Sequence, residues 1–460
     1  QTMKIKRVAF GFLILSLLAC NFVTEMVFPP TITPTATATA TASPTLTPTP
    51  LIPVFIPPEC AATPPATVPP DLLLQATPEF EITEISKEEQ LNILKELALI
   101  VKDVYVYPDY NGKDWLAIVA RYQAKVEAGL DTQSFYNEMF MMIIELGDEH
   151  SFFLSPVEVA ATEAELNGSL EFVGIGVYGQ ADFEKGNLTV ISTFPSSPAE
   201  YAGIQSHDSI LSVDGQPIGE DYSRRLRGPR CSAVILKVQS PDEEPRDVIV
   251  LRYAIEGNIP IDARLVPTTD GSKIGYIFIP SFFDETLAEQ IKNALKEFGQ
   301  LDGLILDVRM NGGGASTVAY PILEYFVDGK LGEFVSREES RTLEIDANEI
   351  RNSQTVPLVV MVSEDTVSFG ELFAGVLRDA GRAKIVGETS LGNVEVLHGY
   401  DFDDGSQVWL AAETFHSAFS DANWEETGIV PDVQAFAEWN TFYFETDPSI
   451  AAAVDLLGHQ

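Results

Sequence analysis

The five apolar residues from Leu358 to Val362 constrain the fold of this chain more than any other stretch. An unbroken apolar run of this length predicts a strand buried on both faces, as in a parallel sheet covered by helices. Apolar residues then recur at helical spacing from Leu372 to Leu377, and Gly381 ends that pattern. Because Ala383–Val386 predicts the next strand, the stretch indicates a strand–helix–strand unit of an α/β fold.

Ser368 lies where the buried strand turns into the helix. The first N–H groups of a helix have no partners within it, and the helix dipole favours negative charge there. A serine in this place can act as a nucleophile whose oxyanion those N–H groups stabilise. A structural interpretation is also open, because Ser368 and Glu371 have the spacing of a helix capping box.

The α/β pattern begins upstream of this unit. Strands are predicted at Ile274–Ile279 and Leu304–Val308, with a helix between them at Leu287–Phe298. The second strand leads into three consecutive glycines, Gly312–Gly314, which allow the backbone to approach a ligand closely. This loop is not a phosphate-binding P-loop, because no Gly-Lys-Ser/Thr sequence follows it.

Composition narrows the class of function. The chain has 460 residues, and its 68 acidic residues outnumber its 29 lysines and arginines, which argues against nucleic-acid binding. The sequence contains no metal-ligand cluster or nucleotide motif, so we expect no cofactor. Three cysteines do not make a disulfide framework, although Cys60 and Cys231 could pair if the chain is exported.

The first 20 residues resemble a bacterial lipoprotein signal. A basic start precedes the apolar run Val8–Leu18, which is too short to span a bilayer. The run closes with Leu-Leu-Ala-Cys, which would make Cys20 the lipidated residue; the alternative is an ordinary signal peptide or anchor with a chance cysteine. Residues 21–82 are rich in Thr and Pro and predict a disordered linker. We therefore expect an extracytoplasmic protein, lipid-anchored to the membrane or envelope.

Two further regions precede the α/β pattern. Residues 83–165 predict an N-terminal helical region, near whose end His150 lies; a lone histidine there is most often a surface or capping residue. Residues 166–256 predict short strands around one short helix, with the motifs Ser-Pro-Ala-Glu, Ala-Gly-Ile, Asp-Ser-Ile and Val-Asp-Gly in that order. This order resembles a PDZ domain. The resemblance implies that N–H groups of the loop Gly174, Ile175 and Gly176 bind a peptide C-terminus.

Together, the motifs from Ser86 to Val433 resemble peptidase family S41, the carboxy-terminal processing (tail-specific) proteases with their tricorn and retinoid-binding relatives. The markers are Leu-Gly-Asp-Glu-His-Ser, the PDZ motifs, Leu-Asp-Val-Arg-Met-Asn-Gly-Gly-Gly, Thr-Val-Ser-Phe-Gly-Glu and Gly-Ile-Val-Pro-Asp. The resemblance implies an α/β core of the ClpP/crotonase-like type at residues 257–445, followed by a C-terminal helix or tail at residues 446–460. The PDZ domain would be inserted between the helical region and this core.

The same resemblance implies that Ser368 is the nucleophile of a serine-type peptidase. The N–H group of Phe369 would supply one oxyanion donor and Gly313 the other. Processing proteases use a lysine after the nucleophile as the base, but the matching position here is Asn393, which cannot act as a general base. Lys384, the nearest lysine, lies in a predicted strand at a position that the family does not use.

The tricorn-like branch of the family uses a histidine base instead. His150 matches that histidine, and Glu425 matches the glutamate that helps to orient it. A neutral imidazole can accept the Ser368 proton, and a carboxylate can hold its tautomer. The serine that precedes the tricorn-like histidine is Glu149 here, so Glu149 or its neighbour Ser151 would replace it, or Glu425 would act directly.

Three functions remain open on the sequence. The first is a secreted, membrane-tethered serine endopeptidase that cleaves proteins or peptides through an acyl-enzyme, with Ser368, His150 and Glu425. His398 and His416 are rival bases, although no family marker falls on them. The second is a degenerate homologue that binds peptides through its PDZ domain, and the loss of the lysine favours it. The third is a non-peptidase hydrolase or a carrier of apolar ligands.

Overall fold

The N-terminal region is helical, as its periodicity predicts. The computed structural model describes residues 56–57, 60, 82–148, 150–166, 173–219, 221–255 and 261–458. The first elements are α1 (Lys87–Val104), α2 (Trp115–Ala128), α3 (Thr132–Ile144), β1 (Phe152–Leu154) and α4 (Pro156–Leu166). Ser86 and Glu89 form a capping box at the start of α1, whose apolar stripe packs against α2 and α3. In the described part of the chain, every helix is too short or too polar to cross a bilayer.

The next region is a small β-rich domain inserted in the chain. Its elements are β2 (Val173–Gly174), β3 (Val177–Asp182), β4 (Asn187–Thr193), α5 (Pro198–Tyr201), β5 (Ser209–Val213), β6 (Gln216–Pro217), α6 (Tyr222–Leu226), β7 (Ala233–Gln239), β8 (Arg246–Leu251) and β9 (Tyr253–Ala254). The sheet order is β3-β4-β5-β7-β8, so β3 lies at an edge. Strands β2 and β9 pair antiparallel, which brings the two connections of the domain together.

The largest region is an α/β core. Its elements are β10 (Ala263–Val266), β11 (Ile274–Phe278), α7 (Leu287–Phe298), β12 (Gly303–Asp307), α8 (Ser316–Leu323), β13 (Gly329–Val335), β14 (Ser340–Ile345), β15 (Leu358–Val362), α9 (Phe369–Asp379), β16 (Lys384–Gly387), β17 (Val396–Asp401), β18 (Gln407–Ser417), α10 (Trp424–Thr427), β19 (Val433–Gln434) and α11 (Pro448–Gly458). The main sheet has the order β10-β11-β12-β15-β16-β19 and is parallel from β11 onward.

Strand β15 is buried along its whole length, as its apolar run predicts. Leu358, Val360 and Val362 belong to the apolar cluster formed with α7, α8 and α9. Val359 and Met361 point to the opposite face, into a second cluster formed with α11. Successive side chains of a strand alternate between faces, so only a continuous apolar run can satisfy both clusters.

A second sheet joins the N-terminal region to the core. Its order is β1-β18-β13-β14, and β17 also pairs with β18. Phe152 of β1 and Gly399 of β17 both lie opposite Trp409 of β18. Because β1 and β17 are each antiparallel to β18, they run in the same direction on its two sides. The residues just before these two strands therefore emerge at the same end of the sheet.

The inserted domain docks on the core through His207. Its Nδ1 lies 2.7 Å from the backbone oxygen of Trp439, so Nδ1 carries the hydrogen and donates it. The His207 ring also contacts the rings of Trp439 and Phe442, at centroid distances of 4.5 and 4.8 Å. A second polar contact joins the Asn440 amide to the Ser209 hydroxyl at 2.8 Å.

A buried cluster of charged residues lies next to Trp439, the core residue that His207 contacts. Arg309 pairs with Asp307 and Asp447 at 2.7 and 2.6 Å, and its guanidinium lies 5.1 Å from the Trp439 ring centroid. Burial lowers the pKa of His207 below its usual range, and the positive charge of Arg309 acts in the same direction. The hydrogen bond to Trp439 and the two aspartates act against this effect, but burial dominates.

Cys60, in the segment predicted as a linker, forms a disulfide with Cys231. Cys60 is buried against Ala233 and Leu251 of the inserted domain. The bond therefore attaches the chain upstream of α1 to this domain.

We predict that docking of the inserted domain weakens as pH falls below about 6.5, the ordinary pKa of histidine. Below this pH the exposed His207 imidazole of the unfolded state takes up a proton, whereas the buried imidazole of the folded state resists protonation. The contribution of His207 to stability is therefore complete above this pH and is lost as the pH falls below it. Chemical denaturation between pH 7.5 and 5.5 should show a steeper loss of stability for wild type than for His207→Gln. Equal slopes would contradict the prediction.

We predict that Cys60→Ser and Cys231→Ser each lower the free energy of unfolding by about 2–5 kcal/mol, because the cross-link no longer restricts the unfolded chain. Denaturation without reductant measures the difference. When reductant is added, the free energy of unfolding of the wild type should fall to that of the variants, and that of the variants should not change. A reductant effect of similar size in the variants would show that another change is responsible.

Candidate active site

Ser368 lies in a strained turn between β15 and α9. Its φ and ψ are 55° and −122°, whereas an ordinary helix-capping serine has extended backbone angles. Positive φ is uncommon for a residue with a side chain and is found preferentially at functional sites. The N–H group of Ser368 is held by the backbone oxygen of Asn393 at 2.9 Å and by Glu371 at 3.2 Å. The Glu371 side of the predicted capping box is thus present, but the backbone of Ser368 is not that of a simple cap.

The glycine loop after β12 lies directly against Ser368. A β-carbon added at Gly313, where φ is +101°, would lie 2.8 Å from Cβ and 3.2 Å from Oγ of Ser368. Asn311 shapes this loop, because its amide nitrogen donates to the oxygen of Ile279 and its amide oxygen accepts the N–H of Gly313. The Asn311 backbone oxygen also accepts the N–H of Val367, one residue before Ser368. Loop and turn are therefore built as one unit.

The two predicted oxyanion donors differ in their surroundings. The Phe369 N–H, at the first position of α9, has no acceptor among the described residues. The Gly313 N–H points to Asn311 at 2.8 Å. Phe369 thus has a donor available beside Ser368, whereas the donor of Gly313 is engaged in this state.

Buried Glu371 anchors the segment that follows β16. Its two carboxylate oxygens accept hydrogen bonds from the Ser390 hydroxyl at 2.6 Å, the Gly392 N–H at 2.7 Å and the Asn393 N–H at 2.8 Å. Burial raises the pKa of Glu371, while these bonds and the one from Ser368 act against that effect. The segment that carries a lysine in processing proteases is thereby fixed beside Ser368, with Asn393 at the lysine position.

His150 lies just before β1, and Glu395 lies just before β17, so the shared neighbour β18 brings them together. The Nδ1 of His150 is 3.6 Å from Oε2 of Glu395, and the two side chains are 12% and 1% exposed. Asp148 fixes the backbone at this point by accepting the N–H groups of His150 and Ser151 at 3.0 and 2.8 Å. Tyr107 donates its hydroxyl to Oε1 of Glu395 at 2.5 Å.

Glu425 contacts Glu395 rather than His150. Its Oε2 accepts the N–H of Val394 at 2.7 Å, and its carboxyl group lies next to that of Glu395. Burial raises the pKa of Glu425 strongly, and the neighbouring carboxylate of Glu395 adds to the effect. Two carboxyl groups thus share one buried place next to His150.

The other candidate bases have partners elsewhere. His398 lies 3.6 Å from Glu413, and its side chain is 45% exposed. The ring of His416 contacts the Thr414 hydroxyl on β18. Lys384 reaches Asp432 at 3.3 Å on the surface. Glu149 lies outside the described residues, as does Cys20.

The predicted peptide-binding loop of the inserted domain is turned by Gly176, where φ is +80°. The oxygens of Ile175 and Gly176 accept bonds from the N–H groups of Ala199 and Phe194. Among the described residues, the N–H groups of Ile175 and Gly176 have no acceptor. The loop leads into edge strand β3, where an added strand could pair.

Sequence reasoning did not find Glu395, Tyr107 or the anchoring role of Glu371. Glu395 follows Asn393 by two residues, so its position could have drawn attention once the lysine was seen to be missing. Tyr107 lies 288 residues from Glu395, and no local pattern joins them. No group of three side chains suited to hold a metal occurs in the described ranges.

We predict that Gly313→Ala lowers the rate of covalent labelling of Ser368 by a fluorophosphonate by about 100-fold or more, because displacing the loop and Ser368 should cost about as much as losing one oxyanion donor. The added methyl group would displace Ser368, and an L-residue at this φ is strained. Gly312→Ala is the matched control, because its added carbon would meet no atom within 4 Å. Equal labelling rates in the two variants would contradict this view of the loop.

Three regions of this chain match known protein families. Residues 273–435 match peptidase family S41, residues 195–240 match a PDZ domain, and residues 86–144 match the tricorn protease C1 domain. A carboxyl-terminal-processing protease of Picosynechococcus is 30% identical over 384 residues, which cover 81% of this chain and 90% of the relative. The carboxy-terminal processing protease CtpB of Bacillus subtilis is 28% identical over 301 residues, covering 64% of this chain and 61% of the relative.

A solved structure supports the same assignment. The photosystem II D1 C-terminal processing protease aligns with a TM-score of 0.55 at 26% identity, covering 75% of this chain and 92% of that one. The inserted β-rich unit is thus a PDZ domain, and the α/β region is an S41 protease core. The chain belongs to peptidase family S41, the family of carboxyl-terminal processing serine peptidases.

Proposed function

We propose that this protein is an active serine endopeptidase in which Ser368 is the nucleophile. The observation that carries the proposal is the strained turn at Ser368. The glycine loop contacts this turn, and the Phe369 N–H beside it has no acceptor among the described residues. Strain of this kind persists only where the surrounding structure enforces it. Ser368 Oγ would bond to the substrate carbonyl carbon, with the oxyanion held by the Phe369 N–H and by the Gly313 N–H, which would have to turn from Asn311 to the oxyanion.

His150 is the proposed general base, oriented by the acidic pair that includes Glu425. It would take the Ser368 proton at Nε2 and pass it to the leaving amine as the C–N bond breaks. Water, deprotonated by His150, would then hydrolyse the acyl-enzyme. Asn393, at the position of the lysine, cannot serve as the base, because an amide does not accept a proton at neutral pH. The tricorn-like arrangement with a histidine base is therefore the one that can carry out the reaction.

We propose that the PDZ domain binds the C-termini of protein or peptide substrates. The N–H groups of Ile175 and Gly176 are suited to a carboxylate, and the free edge of β3 is suited to an extended peptide. Gln180 of β3 donates to Asp365 at 2.7 Å, three residues before Ser368. A peptide held on β3 would therefore lie near the turn that carries the nucleophile.

We further propose that the protein works outside the cytoplasm, anchored by a lipid on Cys20. The disulfide between Cys60 and Cys231 supports an oxidising compartment, because such bonds rarely persist in the cytosol. Metabolic labelling with a fatty-acid analogue that is lost in Cys20→Ala would support the anchor.

The second candidate is a peptide-binding homologue without catalysis. Two observations favour it: Asn393 replaces the lysine, and the Gly313 N–H is engaged by Asn311. Such a protein would still bind C-terminal peptides, but Ser368 would not react.

We predict that a fluorophosphonate labels the wild type and that Ser368→Ala abolishes labelling. His150→Ala should lower the labelling rate by about 10²–10⁴-fold, the usual contribution of a general base. His398→Ala is the matched control and should leave the rate unchanged, since that histidine contacts Glu413 on the surface. Labelling that persists in Ser368→Ala would refute the proposed nucleophile, and an unlabelled wild type that still binds peptides would favour the second candidate.

A further inference from the structure

Two buried polar atoms face each other beside the proposed base. The Nδ1 of His150 and Oε2 of Glu395 are 3.6 Å apart, and neither has a hydrogen-bond partner among the described residues. Buried polar atoms without partners are costly, and each of these atoms supplies what the other lacks. Catalytic hydrogen bonds are often long in free enzymes and shorten when substrate binds. A shift of well under 1 Å would complete this one.

The remaining contacts of Glu395 fit a charged carboxylate. Its Oε1 accepts the Tyr107 hydroxyl at 2.5 Å, and its side chain is 1% exposed. Burial alone would raise the pKa of Glu395, but the neighbouring His150 and Glu425 side chains and the hydrogen bond from Tyr107 hold it below its usual range. Glu395 is therefore the ionised member of the pair.

The surroundings of Glu425 favour its protonated form instead. Its Oε2 accepts the N–H of Val394, and its carboxyl group neighbours that of Glu395. Two ionised carboxylates in one buried place repel each other strongly, so one of them keeps its proton. A protonated Glu425 can donate to Glu395, which removes the repulsion and supplies a further hydrogen bond.

We propose that Glu395 is the positioning residue that holds His150, and that Glu425 acts one step further away, through Glu395. The proposal rests on the proposed role of His150 as base, and it differs from a relay in which Glu425 contacts the histidine. The hydrogen on Nδ1 of His150 stays on Nδ1 and points to Glu395, Nε2 takes the Ser368 proton, and the proton on Glu425 does not move. The imidazolium formed in the reaction then faces one negative charge.

Two variants of equal shape separate these roles. Glu395→Gln removes the charge that faces His150, so the fluorophosphonate labelling rate should fall by about 10³–10⁴-fold, as it does when a triad carboxylate becomes an amide. Glu425→Gln keeps a donor for Glu395 and an acceptor for the Val394 N–H, so the rate should fall only about tenfold. Thermal unfolding of each variant verifies that it is folded.

The pH dependence of labelling distinguishes positioning from a merely structural effect. The midpoint that reports His150 should move to lower pH in Glu395→Gln, because an imidazolium without its counter-charge loses its proton more easily. The midpoint should stay in place in Glu425→Gln. A large rate loss and a shifted midpoint in Glu425→Gln, with the smaller effect in Glu395→Gln, would overturn the proposal. Equal losses with unshifted midpoints would also overturn it.

A second measurement does not need an active enzyme. Nuclear magnetic resonance of ring-labelled histidine in the Ser368→Ala background reports the pKa of His150 directly, and the same contrast between the two glutamine variants is expected. If the fluorophosphonate does not label the wild type but the pKa of His150 falls in Glu395→Gln and not in Glu425→Gln, the proposed function fails while the assignment of Glu395 holds. If Glu395→Gln does not fold, Glu425→Gln decides alone, since a loss equal to that of His150→Ala would refute the proposal.

Discussion

The parallel register of the central sheet is the constraint on which the candidate active site depends. Asp307 of β12 pairs with Met361 of β15, and Val362 pairs with Gly387 of β16, so the three strands end at one edge. The chain leaves these ends as the glycine loop, the Ser368 turn and the segment that reaches Asn393. Ligand sites in parallel sheets form at such an edge. Buried Glu371 then ties the third of these segments to the second.

The proposed base comes from a different layer of the molecule. His150 belongs to the N-terminal region and reaches the core because β1 pairs with β18. Glu395 reaches the same place because β17 pairs with the other side of β18. The nucleophile is thus positioned by one sheet and the base by another, and the segment Asn393–Glu395 connects them. Its first residue accepts the Ser368 N–H, and its last residue faces His150.

Much of this architecture could be predicted from the sequence, because it follows from local patterns. The apolar run of β15, the helical spacing of α9 and the glycines after β12 each indicate their own structure. The His150–Glu395 contact could not be found in this way. It joins residues 245 positions apart through the pairing of three strands, and a single polar residue before a strand has no periodic pattern. The docking of His207 on Trp439 has the same origin, since it depends on how two domains meet.

The disulfide between Cys60 and Cys231 closes a covalent ring in the chain. The two cysteines are 171 positions apart, and the ring encloses the helical region and the PDZ domain from β2 through α6. His150 lies inside the ring, whereas Ser368 lies outside it. A single cut anywhere between the two cysteines would therefore open the ring without releasing a fragment. The proposed base would stay covalently attached to the nucleophile even in a nicked molecule, which is a useful property for a protein exposed to other proteases.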